Sequence, residues 1–93
     1  MRTVYLYFEE NGRTPRGERV FRLSDSSGNP RSIEGYEPFI QTVAGLPNQV
    51  QYKIACRDIP SETKIALEAI IKLKNALALT TEAQSRASTR GSA

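Results

Sequence analysis

Residues 61–79 read SETKIALEAIIKLKNALAL, and this stretch decides the fold because it is the clearest helix in the chain. Ser61 supplies a side-chain oxygen that can cap the first turn, and Glu62 is favourable near the positive end of the helix dipole. Strong helix formers fill most later positions, without glycine or proline. The sequence therefore predicts a helix from Ser61 to Leu79.

Two apolar stripes follow this helix when successive residues are turned by about 100°. The wider stripe is predicted to cover a sheet and contains Ile65, Ala66, Ala69, Ile70, Leu73, Ala76 and Leu77. The second stripe contains Leu67, Ile71 and Ala78, with Lys74 beside it. Leu67 and Ile71 either pack on Phe39 or Val43 of a shorter helix or form a seam for a partner or a second copy. We include both among the candidate protein-binding residues.

Three stretches ahead of the helix have the composition of β-strands. Residues 3–8 (TVYLYF) are β-branched and aromatic, which predicts a central strand. Residues 18–23 (ERVFRL) and 49–57 (QVQYKIACR) alternate between faces, and the second of these predicts one buried and one wet face. Residues 37–44 have the apolar spacing of a short helix, while residues 31–36 fit either a short strand or an extended lead-in.

The element order is therefore β-β-α-β-α, with one optional extra strand. This order predicts an α+β fold in two layers. A three- or four-stranded, mainly antiparallel sheet is covered on one face by the short helix and the long C-terminal helix. Residues 1–80 form the predicted domain. Residues 81–93 lose all apolar periodicity and are predicted to be a disordered tail.

The composition excludes several classes of protein. Histidine is absent and cysteine occurs once, which removes histidine-based catalysis, an internal disulfide and the usual zinc sites. No glycine-rich phosphate loop is present. We therefore expect no metal, no cofactor and no enzymatic activity, and catalysis by carboxylates alone is the weakest alternative. No apolar run is long enough to span a membrane, and the lone cysteine favours the cytoplasm.

Two kinds of binding surface remain open. Tyrosine and arginine are enriched at protein–protein hot spots, so an exposed Tyr5 and Tyr7 favour a protein partner. This interpretation describes a small regulator, inhibitor or adaptor, of the type found in phages or plasmids, which could also pair with itself through the long helix. The alternative is a nucleic-acid-binding module that uses a basic loop and the wet sheet face. Its candidate residues are Arg13, Arg16, Arg19, Gln51, Lys53 and Arg57.

The basic residues are also compatible with an ordinary solvated surface that has no binding role. Thirteen lysines and arginines against ten acidic residues give a formal charge of only +3, which permits nucleic acid without requiring it. The distinction between these interpretations depends on which side chains share a face.

Overall fold

The chain folds into a four-stranded mixed sheet with two helices, and the predicted α+β fold is confirmed. The structure is a computed structural model that describes residues 2–26 and 28–91, with side chains described as far as residue 80. The strands are β1 (Thr3–Arg13), β2 (Arg19–Asp25), β3 (Arg31–Glu34) and β4 (Gln51–Arg57), and the helices are α1 (Tyr36–Ala44) and α2 (Ser61–Gly91). Residues 31–34 therefore form the optional extra strand.

The strands lie in the order β3-β2-β1-β4, which places β1 centrally as predicted. β2 pairs antiparallel with both β1 and β3, whereas β4 pairs parallel with β1. A parallel pair needs a crossover connection, and the segment through α1 supplies part of it. The sheet is therefore mixed, with two antiparallel pairings and one parallel pairing.

Alternation along the strands separates a covered face from an open face. The covered face packs against both helices and forms one core. Its buried members from the sheet are Leu6, Phe8, Phe21, Leu23 and Tyr52, and those from the helices are Phe39, Val43, Leu67 and Ile71. Phe39 stacks on Phe21, with ring centroids 4.2 Å apart, and meets Phe8 edge-on. Among the described residues, no helix lies over the open face, which carries the tyrosines of β1.

The helix α2 uses the opposite stripe from the one predicted to cover the sheet. Leu67 and Ile71 are 0% and 5% exposed, so their assignment to a partner seam is wrong and the packing interpretation is correct. Ile65 and Leu73 of the wider stripe are 66% and 62% exposed instead.

Polar residues explain why the narrower stripe faces the core. The Lys74 ammonium donates to the Leu46 carbonyl at 2.6 Å and to Asn48 Oδ1 at 2.7 Å, which satisfies a largely buried charge. Desolvation lowers the pKa of Lys74. Thr63 is also buried, and it accepts a hydrogen bond from the Arg19 guanidinium at 3.2 Å. These polar groups behave as anchors for the helix rather than as its solvent face.

The helix also closes one edge of the sheet. The Asn75 side-chain amide accepts from the Tyr52 backbone N–H at 2.8 Å and donates to the Tyr52 carbonyl at 3.0 Å. These two hydrogen bonds occupy backbone groups at the outer edge of β4, as a neighbouring strand would. They therefore block an edge on which another chain could pair.

Beyond Leu79 the helical backbone continues to Gly91, so α2 ends later than predicted. The side chains of residues 81–93 lie outside the described part of the chain. The disordered tail and its boundary with the 1–80 domain therefore stay predictions.

Candidate functional site

The open face of the sheet carries two aromatic rings at its centre. Tyr5 and Tyr7 are 46% and 49% exposed, because β1 turns Val4, Leu6 and Phe8 toward the core and its other residues away from it. The two tyrosines are separated by one residue, which places them about 6.8 Å apart along the strand. The predicted exposure of both rings is confirmed.

Basic side chains from the neighbouring strands share this face. Lys53 of β4 lies directly beside Tyr5, and Arg57 of the same strand lies beside Glu9. Arg22 of β2 lies beside Glu9 on its other side. Directly opposed residues have Cβ atoms within about 5.5 Å, so the open face contains a row of three charges, Arg22–Glu9–Arg57.

A shallow groove of about 240 Å³ lies between this row and Tyr7. Ser24 and Ala55 are the residues directly opposite Tyr7 on β2 and β4. Because both side chains are small, space remains on either side of the tyrosine ring. The groove is smaller than a typical drug-sized pocket, so it suits a planar group of a few atoms across.

Charged side chains on the open face are available for binding. In the described part of the chain, the side chains of Glu9, Arg22 and Lys53 have no hydrogen-bond or ion-pair partner. Arg57 lies 3.9 Å from Asp58, but both side chains are highly exposed, and such surface pairs contribute little.

The structure separates the predicted nucleic-acid residues into two groups. Lys53 and Arg57 lie on the open face with the two tyrosines. Gln51 instead donates to the Asn75 carbonyl of α2 at 2.9 Å. Arg16 is exposed in the loop between β1 and β2.

Arg19 lies on the covered face, where its guanidinium contacts Glu10 of β1 and Thr63 of α2, and not on the open face with Lys53 and Arg57. Its assignment to nucleic-acid binding stays a prediction. The Arg19 guanidinium makes a two-point contact with the Glu10 carboxylate, at 2.6 and 3.0 Å, and lies 4.9 Å from the Phe21 ring centroid. The hydrogen bond from Arg19 is the main cause of a lowered Glu10 pKa. The same pairing raises the pKa of Arg19.

An irregularity in β1 places Arg13 away from the open face. The register shifts between Glu10 and Arg13, where Gly12 has a φ of +76°, so that Arg13 pairs with Arg19. Glycine adopts this conformation without steric cost. The Arg13 guanidinium donates to the Gly17 carbonyl at 2.8 Å within its own loop. Arg13 therefore stands apart from the open face.

Sequence reasoning missed Arg22 and Glu9. The alternation of β2 did place Arg22 on the side away from Phe21 and Leu23, which was the available signal. What the sequence alone does not provide is the register of three strands, and only that register brings Arg22, Glu9 and Arg57 into one row.

Three further features bear on what the protein can do: the Cys56 thiol, possible metal ligands and the hydropathy of the helices. Cys56 is partly buried on the covered side, and desolvation raises the pKa of its thiol, which disfavours the reactive thiolate. Within the described ranges, no three residues of the His, Cys, Asp and Glu types gather closely enough to hold a metal ion. None of the helices in these same ranges has the length and hydropathy needed to cross a membrane.

A second exposed surface lies on the side of α2 that faces away from the core. This outward stripe consists of Ile65, Ala69, Leu73, Ala76 and Leu77. Beside it, a groove of about 200 Å³ lies between α2 and the end of α1 and is lined in part by Ala44, Ile70, Leu73 and Leu77.

Comparisons of the chain with protein-family models, with curated proteins and with solved structures found no match.

Proposed function

We propose that this protein binds single-stranded nucleic acid on the open face of its sheet and catalyses no reaction. The observation that supports this proposal is the placement of Tyr5 and Tyr7 between basic residues of both neighbouring strands. Aromatic rings stack on bases, and lysine and arginine pair with phosphates. The cytoplasm, where the single cysteine would stay reduced, is the compartment we propose.

The geometry favours a single strand over a duplex. Stacking on Tyr5 and Tyr7 requires bases whose flat faces are accessible, and these faces are hidden in a double helix. Each base stacked on an aromatic ring contributes about 1–3 kcal/mol. Lys53 lies beside the first ring, and Arg22 and Arg57 lie beyond the second, so phosphates can be neutralised on both flanks of the stacked bases.

The salt dependence of binding tests this proposal. On a thymine-only single strand, three phosphate contacts predict that the logarithm of affinity falls against the logarithm of salt concentration with a slope of about −2. The triple variant Arg22→Gln, Lys53→Gln, Arg57→Gln should bind weakly with a nearly flat salt response. Fluorescence anisotropy of a labelled strand measures both quantities.

The control is a second charge variant in the β1–β2 loop. Arg13→Gln with Arg16→Gln also removes positive charge, but from outside the open face, so the slope should stay close to that of the wild type. If the loop variant lost binding and the triple variant kept it, the loop and not the sheet would be the binding surface.

A second candidate function, binding to another protein, is favoured by the outward stripe of α2. Ile65 and Leu73 are more than three-fifths exposed, and Leu77 is 44% exposed. Several large aliphatic side chains on one helix face form the kind of patch that marks an interaction site. We commit to a second copy of this chain as its occupant.

The outward stripe is complementary to itself in an antiparallel arrangement. A two-fold axis level with Ile71 places Ala69 of one copy against Leu73 of the other, so that a small side chain receives a large one. Glu62 then faces Thr80, whereas a parallel pair would oppose two Glu62 carboxylates. Glu68 and Lys72 on the same flank come close to each other across the pair, as the flanking charges of coiled coils do.

Such a dimer leaves both open faces free, because the outward stripe and the open face lie on opposite sides of the molecule. A regulatory, inhibitor or adaptor role of phage or plasmid type is the proposal that fits this arrangement. The dimer would present two binding faces to one strand or to two strands, which raises the effective concentration of the second site.

Substitution of one residue tests the dimer. Leu73→Glu should give a folded protein with half the wild-type mass by light scattering, because two carboxylates would be buried in the contact. Lys53→Glu on the open face is the charge control and should leave the mass unchanged. A wild-type protein that is monomeric at every concentration, or a Leu73→Glu variant that keeps the dimer mass, would remove this candidate.

A further inference from the structure

We infer that the groove beside the Arg22–Glu9–Arg57 row is a binding site for a guanine base. The inference rests on the proposed function and names the base that the open face selects. The open face contains an acidic residue, Glu9, that a site for phosphates alone does not explain. Glu9 is half-buried at the centre of the row, where a carboxylate repels phosphate oxygens.

Glu9 is an acceptor without a donor in the described part of the chain. Arg22 and Arg57 lie on either side of it in the strand register, yet neither forms an ion pair with it. An ionised carboxylate has two oxygens that accept hydrogen bonds side by side. A ligand that offers two adjacent donors therefore complements Glu9 better than a ligand that offers one.

Guanine is the common base that offers two adjacent donors. Its N1–H and its N2 amino group lie together on the Watson–Crick edge, whereas adenine and cytosine carry one amino donor and thymine carries one ring N–H. Guanine also presents O6 and N7 as acceptors, and a bidentate arginine contact to these atoms is the commonest specific contact to a base. Arg22 and Arg57 flank Glu9 on its two sides, so one of them can make this contact with guanine while the other keeps its phosphate.

The groove supplies the platform for the ring. Tyr7 is the next residue on the same face of β1, one step along the strand from Glu9, and the small side chains of Ser24 and Ala55 leave the space beside it open. A base that stacks on Tyr7 can direct its polar edge toward Glu9. Single-stranded bases are recognised in this combined way, by stacking on their faces and by hydrogen bonds on their edges.

The test compares short thymine-only DNA strands with strands in which one central thymine is replaced by guanine, hypoxanthine, adenine or cytosine. We expect the guanine strand to bind about tenfold more tightly than the thymine strand. Hypoxanthine lacks the 2-amino group and should lose most of that gain. Free guanosine monophosphate should bind more weakly than the guanine strand, because Tyr5 and Lys53 hold the neighbouring nucleotide. Equal binding of the mononucleotide would overturn the assignment to a base within a strand.

Two matched variants distinguish the hydrogen bonds that Glu9 makes to guanine from the general effect of a negative charge on this face. Glu9→Gln should strengthen binding to the thymine strand, because a repelling charge is lost, and should abolish the preference for guanine over hypoxanthine. Glu34→Gln removes a carboxylate from the same face outside the groove, since Glu34 pairs with Val20, and should keep the preference. Retained preference in Glu9→Gln, or equal wild-type binding to all strands, would overturn the guanine site and leave the proposed function standing. No binding to any strand at low salt would overturn both.

Discussion

Leu67→Glu should leave the domain unfolded at room temperature, whereas Leu73→Glu on the same helix should leave it folded. Leu67 is fully buried in the core cluster with Phe39 and Val43, and Leu73 is 62% exposed. Truncation of a buried leucine alone costs about 2–5 kcal/mol, and an unpaired buried carboxylate costs several more. A domain of this size has a total stability of about 5–15 kcal/mol, so the sum removes most or all of it.

Circular dichroism and thermal melting of the two variants give the answer directly. Because the substitution and the helix are the same, helix propensity and added charge are matched, and only burial differs. The result that contradicts this orientation of α2 is a cooperative melt for Leu67→Glu together with loss of structure in Leu73→Glu. That outcome would mean that the wider apolar stripe, and not the narrower one, covers the sheet.

The second large effect concerns the two tyrosines. Tyr5→Ala with Tyr7→Ala should weaken binding to a single strand by about thirtyfold or more, since each stacked base contributes about 1–3 kcal/mol. Both rings are half exposed on the open face, so their removal should change the melting temperature only slightly.

Tyr36→Ala is the matched control. Tyr36 is 40% exposed, but it lies on α1 near Arg19 and away from the open face. Its loss should leave strand affinity unchanged. Equal losses in the double variant and in Tyr36→Ala would indicate a general effect on the fold, and an unchanged double variant would remove stacking from the account.

The strand faces could be predicted from the sequence because a strand has only two sides. Once Val4, Leu6 and Phe8 are assigned to the core, Tyr5 and Tyr7 have to lie on the other side. The same reasoning placed Lys53 correctly. Side chains in a strand alternate between two faces, so a residue lies on one face or the other. The face with more apolar side chains is the one that packs against the core.

The orientation of α2 could not be predicted in this way. Both of its stripes are apolar, and the choice depends on partners from distant parts of the chain. Lys74 is buried because Leu46 and Asn48 accept its hydrogen bonds, and Thr63 is buried beside Arg19. From sequence alone, a lysine is expected to be exposed to solvent. The narrower stripe, which lies beside Lys74, is therefore not chosen as the face that covers the sheet.

The candidate site was partly predictable for a related reason. Tyr5, Tyr7, Lys53 and Arg57 follow from alternation within single strands. The row that joins Arg57 to Glu9 depends on a parallel pairing between β1 and β4, whose paired residues are 48 positions apart in the sequence (57 − 9). The position of Arg19 on the covered face could not be predicted, because its ion pair with Glu10 joins two strands through their register and no local pattern reveals that contact.

Nuclear magnetic resonance provides the most direct test of the central claim, that the open face binds single-stranded nucleic acid. Backbone amide signals of the ¹⁵N-labelled protein are followed during titration with a short guanine-containing single strand. The predicted shifts fall on Tyr5, Tyr7, Glu9, Arg22, Lys53 and Arg57, while residues 61–80 of α2 stay unchanged. Shifts confined to α2 or to the β1–β2 loop, or no shifts at low salt, would contradict the claim.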